Sequence, residues 1–533
     1  MAKPADRRPQ GGTRSRVPLV MLCALLLATV TAAAGASASA DLLSYDDARH
    51  LLARTGFGPR EAEVRSYTGL SRDAAVERLL ATARTTAVTA LPGPLLAQGP
   101  LRPRGAPDAT PEDRKAFVQE QVEQGLLLRG WWIEEMLMTP SPLTERMTLF
   151  WHNHFVSAQP KVRVTRLMAT QNATLRAHAL GNFGTLLHAI AHDPAMILYL
   201  DGAQNRKGAP NENFAREVME LFTLGEGRYA EADVKEAARA FTGWSLDRET
   251  GSFMFRRFLH DDGVKTIFGK SGRFDGDDVL DLLLARPETA EFITTKLWRE
   301  FVSPDPDARE IARIARRFRD SRYDIKVALG ELLRSDAFFA PENRGMLVKS
   351  PVELVVGTLR QLQIAPEAGL PFALAVAGMG QNLFSAPNVK GWPGGEAWIN
   401  SNTLLARKQF LDRLTRGDDP AALVLLGALA GTPSMKDGQR AAVPRQVIAP
   451  NGLSETDKPR MQRFARDMQR ALASVHFDSA RWMAQFPGGK SSERNAAAMH
   501  LLLATAPQRS IDPDSDSLTL VRSVLLDAAY QLK

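Results

Sequence analysis

The fold is decided first by one long stretch, TPEDRKAFVQEQVEQGLLLRGWWIEEMLM, residues 110–138. Thr110 is suited to cap a helix, Pro111 fits the first helical position, and acidic residues follow where they favour the positive end of the helix dipole. Apolar residues then recur at helical spacing as far as Met138. The stretch therefore predicts a single long amphipathic helix.

The same start signals recur along the chain and make the predicted fold class mainly α. Ser141-Pro142 opens another helix, and SPVE at 350–353 forms a capping-box pattern. Gly181 and Gly225 stand where helices would end. We therefore predict a multi-helix globular body. Its further helices are expected over 161–180, 183–192, 213–224, 231–242, 276–301, 307–319 and 323–335.

One segment departs from the helical pattern. FMFRRFLHDDGVKTIFG, residues 253–269, is rich in aromatic and β-branched residues. Asp262-Gly263 within it is a dipeptide suited to a tight turn. We predict a small β-hairpin inserted among the helices.

Length and composition indicate a large globular protein with more than one packed unit. The chain has 533 residues, 44% hydrophobic and 24% charged, which argues against disorder or a polytopic membrane protein. Stretches rich in Pro and Gly predict linkers at 85–109 and 431–459. The second linker would separate a main helical domain, 41–417, from a carboxyl-terminal helical region, 418–533.

The first 40 residues have the order of a secretory signal peptide. A basic start is followed by the apolar run VPLVMLCALLLATV and by small residues that end in Ala38-Ser39-Ala40. The apolar run is shorter than the roughly 20 residues that a spanning helix needs, which disfavours an uncleaved anchor. We predict cleavage before Asp41, export to the periplasm or beyond, and no membrane span afterwards.

Removal of this segment changes the charge of the chain. It carries five positive charges and one negative, so the net charge of +7 falls to +3, which gives little support to nucleic-acid binding. The single cysteine, Cys23, lies in the apolar run. The mature protein would therefore have neither a disulfide nor a cysteine-ligated metal.

Two histidines lie one residue apart in TLFWHNHF, residues 148–155. On a helix, His152 and His154 would point to nearly opposite sides, so they could share an ion only if the chain were extended there. They are candidate catalytic groups. The alternative is that each ring packs in the core and binds a backbone group.

Polar side chains crowd the stretch YLDGAQNRKGAPNENF, residues 199–214, just before a predicted helix. Asp201, Asn205, Asn211 and Glu212 could supply oxygen ligands to a divalent cation such as calcium. Their spacing matches no EF-hand loop. The alternative is that these side chains cap exposed backbone amides.

Glu217 falls between Leu221 and Leu224 at the edge of the apolar stripe of the following helix. Partial burial would raise its pKa and make it a candidate general acid, base or ligand. A structural ion pair with Arg239 is the alternative. Arg216 belongs to a predicted ladder of exposed salt bridges and is also a candidate for substrate binding.

Aromatic residues and one further histidine complete the candidates. His260 lies on the approach to the predicted turn, where a loop could present a titrating group. In NVKGWPGGEAWINSN, residues 388–402, Trp392 and Trp398 could stack on sugars, and Trp244 is a third candidate for substrate binding. The alternative is that these tryptophans anchor loops to the core.

Six stretches in this order resemble a known family. They are WHNHF, HDPAMILYLDGAQN, PNENFAREVMELFTLGEG, ADVKEAARAFTGW, HDDGVKTIFG and PNVKGW, and the resemblance around them extends from about Ala48 to Phe410. They resemble the bacterial family called domain of unknown function 1800. The resemblance implies an exported protein with no assigned reaction or cofactor. It also implies a sulfatase-like exported partner encoded nearby.

Two functions are compatible with these residues. The first is a cell-envelope hydrolase that uses His152 or His154 with Glu217 and His260, with or without a metal ion. It requires these groups to meet within about 10 Å around a cavity. The second is a non-catalytic binding or assembly protein for an exported partner or a polysaccharide. No H-E-x-x-H or G-x-S-x-G motif is present to favour the first.

Overall fold

The computed structural model describes residues 42–96, 101, 109–247, 249–416, 466 and 475–533. The predicted signal peptide and the predicted linker at 431–459 lie outside these residues.

The mainly α fold class is confirmed, and the long predicted helix is present. Thr110 accepts the Asp113 backbone N–H at 3.1 Å, while the Asp113 carboxylate accepts the Thr110 N–H at 3.0 Å. Helices of the first half are α1 (Tyr45–Thr55), α2 (Glu61–Tyr67), α3 (Arg72–Ala81), α4 (Gly93–Leu96), α5 (Pro111–Met138), α6 (Pro142–His154), α7 (Gln159–Val162), α8 (Thr165–His178), α9 (Phe183–Ala191), α10 (Pro194–Tyr199), α11 (Asn213–Glu217) and α12 (Glu231–Ala240).

The second half continues in the same way. Its helices are α13 (Gly276–Leu284), α14 (Pro287–Phe301), α15 (Ala308–Asp320), α16 (Ile325–Arg334), α17 (Asp336–Phe339), α18 (Pro351–Gln361), α19 (Leu370–Gly378), α20 (Ser401–Arg416), α21 (Ser479–Met483), α22 (Ser491–Leu502) and α23 (Ser517–Leu526). No helix among these described residues is both long enough and apolar enough to cross a bilayer.

Several predicted helices differ in their limits for local reasons. The expected helix at 276–301 is two helices, because Pro287 starts α14 after the extended residue Arg286. The expected helix at 161–180 is likewise divided, with Arg163 in the left-handed conformation at φ 63°. The helix after Asn213 continues as a π-helix over Val218–Thr223.

The predicted β-structure is present as two small hairpins. Strand β1 (Trp244–Leu246) pairs with β2 (Phe253–Phe255), and β3 (Lys265–Ile267) pairs with β4 (Lys270–Gly272), both antiparallel. The turn of the second hairpin is Phe268-Gly269, where both residues have positive φ as a two-residue turn requires. Asp262-Gly263 instead lies in the loop between the hairpins.

Helix α18 lies at the centre of the packing, because every one of its residues is buried. Helices α5 and α19 pack against it. The loop after α1 approaches it so closely that a Cβ at Gly58 would lie 2.9 Å from the Gly357 carbonyl oxygen. A side chain at Gly58 would force this loop away from α18.

The carboxyl-terminal described segment, 475–533, packs on the same helix. Trp482 donates its indole N–H to the Gln361 carbonyl at 2.7 Å, and the Tyr530 hydroxyl lies 2.8 Å from that of Thr358. Leu532 forms a bridge with Val348 just before α18. This segment therefore completes the core around α18.

A buried ion pair joins α5, α6 and α8. Arg176 donates to both carboxylate oxygens of Glu145, at 2.5 and 2.9 Å, and Trp132 donates its indole N–H to the same carboxylate at 2.8 Å. All three side chains are buried. Three donors thus compensate the desolvation of one carboxylate.

We expect Glu145→Ala to lower the free energy of unfolding by about 3–5 kcal/mol, because Arg176 would remain buried without a counter-charge. Urea unfolding followed by circular dichroism measures the change. The control is Glu291→Ala, which removes the exposed Arg228–Glu291 pair and should cost at most about 1 kcal/mol. Equal losses in the two variants would contradict the assignment.

Candidate functional site

His152 lies inside α6 and is buried. Its Nε2 accepts the backbone N–H of Phe384 at 3.2 Å, and its ring packs edge-on against Trp132. Burial lowers its pKa to about 4. The ring is therefore neutral at pH 7, with the proton on Nδ1, and serves as an acceptor for the loop before Trp392.

His154 is also buried but has the opposite tautomer. Its Nε2 donates to the Phe222 carbonyl at 3.1 Å, and its Nδ1 lies 3.1 Å from Nζ of Lys296. Burial, and secondly the Lys296 charge, hold the pKa of His154 well below its ordinary value. The helix thus turns the two histidines toward different partners, Phe384 and Phe222.

Asn153, between them, holds a third segment. Its side-chain oxygen accepts the Trp392 backbone N–H at 2.7 Å, and its amide donates to the Trp392 carbonyl at 3.2 Å. The tryptophans proposed for substrate stacking, Trp244, Trp392 and Trp398, are all buried. Their contacts in the structure are with the core, as in the alternative considered above.

The oxygens proposed as metal ligands are occupied by hydrogen-bond donors. Asp201 accepts from the Lys161 ammonium at 2.8 Å, Asn205 Oδ1 accepts the Asn211 backbone N–H at 2.9 Å, and Glu212 pairs with Arg216. The side-chain oxygen of Asn211 accepts the Asn213 backbone N–H at 2.9 Å. Among the described residues, no group of three or more His, Cys, Asp or Glu side chains is arranged to hold a metal ion.

Arg216 and Glu217 lie where the α-helix becomes a π-helix, a feature common at functional sites. Arg216 binds both oxygens of Glu231, at 2.7 and 2.8 Å. Glu217 is half-buried. Burial and the neighbouring Glu220 raise its pKa, while Lys390 opposes the rise. Its proposed partner Arg239 instead pairs with Asp261 and Glu236.

His260 lies in the loop between the hairpins, partly exposed. Its Nδ1 is 2.9 Å from the Thr242 carbonyl, and its ring packs against Phe255. No hydrogen bond, ion pair or ring contact of the described chain joins His152, His154, Glu217 and His260 to one another. In the described chain each of the four therefore has its own separate partners, and none contacts another directly.

A different set of residues lines a cleft between α1, the start of α18 and the carboxyl-terminal segment. It is a small cleft that is open to solvent at its mouth. Arg49, Lys349 and Lys533 supply positive charge, and Glu353 is the acidic residue of the lining. Glycines and apolar side chains form the remaining wall: Ala53, Gly56, Gly58, Gly357, Leu501, Leu502, Ala504 and Leu532, with Gln361.

Glu353 is already engaged within the protein. One carboxylate oxygen accepts from Arg146 at 2.7 Å and from Lys533, and the other accepts the Ser350 backbone N–H at 2.8 Å. Burial alone would raise its pKa, but Arg146 and Lys533 bring it down to about 2. Glu353 is therefore ionised, and both of its carboxylate oxygens already accept hydrogen bonds within the protein.

Lys349 is the cation of the cleft with the least compensation. Its Nζ lies 3.7 Å from the centre of the Tyr530 ring, and among the described residues it has neither a hydrogen-bond acceptor nor an ion-pair partner. Burial lowers its pKa to about 7, and Arg49 and Lys533 act in the same direction against Glu353. An anion in the cleft would supply the missing counter-charge.

Arg49 is also incompletely paired. It is buried, its Nε lies 3.6 Å from Asp46 Oδ1, and no hydrogen bond to that Nε is formed in the described structure. No spacing pattern in the sequence indicates this cleft directly, because its cations lie in separate segments. The one available signal was that Lys349 directly precedes Ser350, which forms a capping box with Glu353.

Comparison with known proteins adds a family but no activity. A family model described as "Protein of unknown function (DUF1800)" matches residues 50–518. The match extends past Phe410, where the recognised motifs end, into the carboxyl-terminal helices. No curated protein and no solved structure matches the chain.

We expect Glu217→Gln to increase the free energy of unfolding at pH 7. Folding raises the pKa of the Glu217 carboxyl, so the wild-type protein loses stability as the pH rises from the unfolded pKa of this group through its folded pKa. Glutamine cannot ionise, so the variant avoids this loss. The difference from wild type should vanish below about pH 4.

Urea unfolding at pH 4 and pH 7 measures this difference. Glu226→Gln, at an exposed position, is the control and should change the free energy of unfolding by less than about 0.5 kcal/mol at both pH values. A loss of stability in Glu217→Gln at pH 7 would instead show that the ionised carboxylate is stabilised by an ion pair.

Proposed function

Because the chain belongs to the DUF1800 family, for which no activity is described, we propose a function from its geometry alone. The protein is a non-catalytic binding protein that holds an anionic group of a cell-envelope ligand in the cleft beside α18. The observation that carries this proposal is the uncompensated Lys349 ammonium in that cleft.

The charge balance of the cleft supports an anion as the ligand. The lining of the cleft contains three cations, Arg49, Lys349 and Lys533, and one carboxylate, that of Glu353. Arg146 also pairs with this carboxylate. Lys349 is half-buried and has no hydrogen-bond acceptor among the described residues, and an anion that accepts charge-assisted hydrogen bonds would offset the cost of its desolvation. A phosphate, sulfate or carboxylate group would satisfy the ammonium and the guanidinium together.

The wall of the cleft fits a group attached to a larger molecule. The three glycines of the lining bring backbone close to the space, and Leu501, Leu502 and Leu532 supply apolar surface beside the charges. The mouth is open, so the rest of a ligand can extend into solvent. An anionic substituent of a polysaccharide or of an exported partner meets these conditions.

We also propose that the protein is exported and that it binds an exported partner. The pattern of residues 1–40 supports a signal peptide, which would place the cleft in the periplasm or outside the cell. The family resemblance supports a sulfatase-like exported protein as the partner. A pull-down from envelope extracts with the processed protein as bait tests the partner, and failure to capture a sulfatase-like protein would count against it.

We expect inorganic sulfate to bind the protein, with an affinity that falls as the pH rises from 6 to 9. Lys349 is cationic below its pKa of about 7 and loses its charge above it, whereas sulfate does not titrate in this range. Isothermal titration calorimetry at each pH measures the change.

Lys349→Met should abolish sulfate binding or weaken it about tenfold or more, since a charge-assisted hydrogen bond is worth roughly 1.5–3 kcal/mol. Lys115→Met removes an exposed lysine of α5 and should leave binding unchanged. Thermal unfolding verifies that both variants fold. Equal affinity in wild type and Lys349→Met would refute the cleft as the site.

A second candidate function is acid–base catalysis by Glu217, as in the envelope hydrolase considered from the sequence. Its half-buried carboxyl with a raised pKa, at the start of the π-helix, favours this alternative. In that case Glu217→Gln would retain sulfate binding and lose turnover of an envelope substrate. The Lys349→Met variant would instead lose sulfate binding and retain turnover.

A further inference from the structure

An exposed aromatic ring lies on the loop between the two hairpins. Phe258 is 77% exposed, the highest value for a large hydrophobic side chain among the described residues, and Phe255 and Val264 nearby in the chain are 45% and 60% exposed. Single exposed apolar residues are ordinary on protein surfaces. Here three fall within ten positions of the chain, Phe255 at the end of β2 and the other two in the loop, and such a concentration favours a partner.

The loop is held in place by the backbone. Phe258 lies in a 3-10 turn, Arg257–Leu259. The Arg256 N–H donates to the Gly243 carbonyl at 2.7 Å, and the Lys207 N–H donates to the Leu259 carbonyl at 2.7 Å. Gly243 has φ +87°, and a Cβ there would lie 2.8 Å from the Arg256 carbonyl oxygen. The exposed ring is therefore presented by a braced turn.

Positive charge flanks the aromatic residues. Arg206, Lys207 and Arg257 are exposed. Lys207 pairs with Asp262 at 3.0 Å, and in the described part of the chain neither Arg206 nor Arg257 has an ion-pair partner. We call the six residues Arg206, Lys207, Phe255, Arg257, Phe258 and Val264 the basic–aromatic surface.

We infer that the basic–aromatic surface docks on an anionic lipid bilayer, with the Phe258 ring inserted between lipid headgroups. A phenyl ring that protrudes this far is suited to the headgroup–acyl boundary, while flanking cations remain at the level of the anionic headgroups. Aromatic and cationic side chains on one turn satisfy both requirements. This inference is independent of the anion-binding cleft and goes beyond it.

Cosedimentation with vesicles tests the inference. The protein is purified in its processed form from the envelope fraction, and each variant is compared with wild type carrying the same amino terminus. Vesicles of phosphatidylcholine alone are compared with vesicles that contain one third phosphatidylglycerol. Wild type should bind the anionic vesicles more strongly, and added salt should weaken this binding.

Phe258→Ser should weaken binding to the anionic vesicles by about tenfold, because a phenyl ring no longer leaves water. Met138→Ser is the matched control, since Met138 is 64% exposed on α5 and should not affect binding. The double variant Arg206→Gln and Arg257→Gln should reduce the preference for anionic over neutral vesicles while Phe258 remains in place.

Three outcomes would overturn the inference. They are no binding of wild type to anionic vesicles, equal binding of the Phe258→Ser and Met138→Ser variants, and equal binding of wild type to neutral and anionic vesicles. If wild type ignores vesicles but binds a soluble anionic polymer through the two arginines, the surface serves a polyanion instead. Sulfate calorimetry on Phe258→Ser keeps this test separate from the cleft, because that variant should retain sulfate binding.

Discussion

The structure depends on one buried carboxylate, that of Glu353 in the first turn of α18. It closes the capping box with Ser350, binds Arg146 of α6 and binds Lys533 of the carboxyl-terminal segment. A helix buried on every side can carry an ionised group only when cations and backbone donors surround it. Those cations bring distant segments together and leave the neighbouring Lys349 short of negative charge.

The sequence predicted the helical architecture because its start signals are local. Thr110 with Asp113, and Ser350 with Glu353, each act within one turn, so their hydrogen bonds could be anticipated. Pairing between strands could not be anticipated from such local signals. Strand Phe253–Phe255 pairs with the preceding strand Trp244–Leu246, and in the loop where the turn was predicted Asp261 pairs with Arg239.

The candidate site was harder to predict, because it depends on which side chains face one another across elements. WHNHF was recognised as distinctive, yet its polar residues bind three separate segments at Phe222, Phe384 and Trp392. Burial of His152 could be expected from its aromatic neighbours, but the acceptor role of its ring could not. Arg49 and Lys349 are 300 positions apart, and no spacing rule links them.

Helix α18 contacts α2 and the loop before α2, which are distant from it in the chain. Gly58 of that loop lies against Gly357, and Arg360 pairs with Glu63 of α2 at a separation of 297 residues. Closing loops of this size costs conformational entropy before packing contacts can stabilise the structure, and this cost slows folding. The native contacts of α18 with these distant segments are therefore expected to form late in folding, after the local helices.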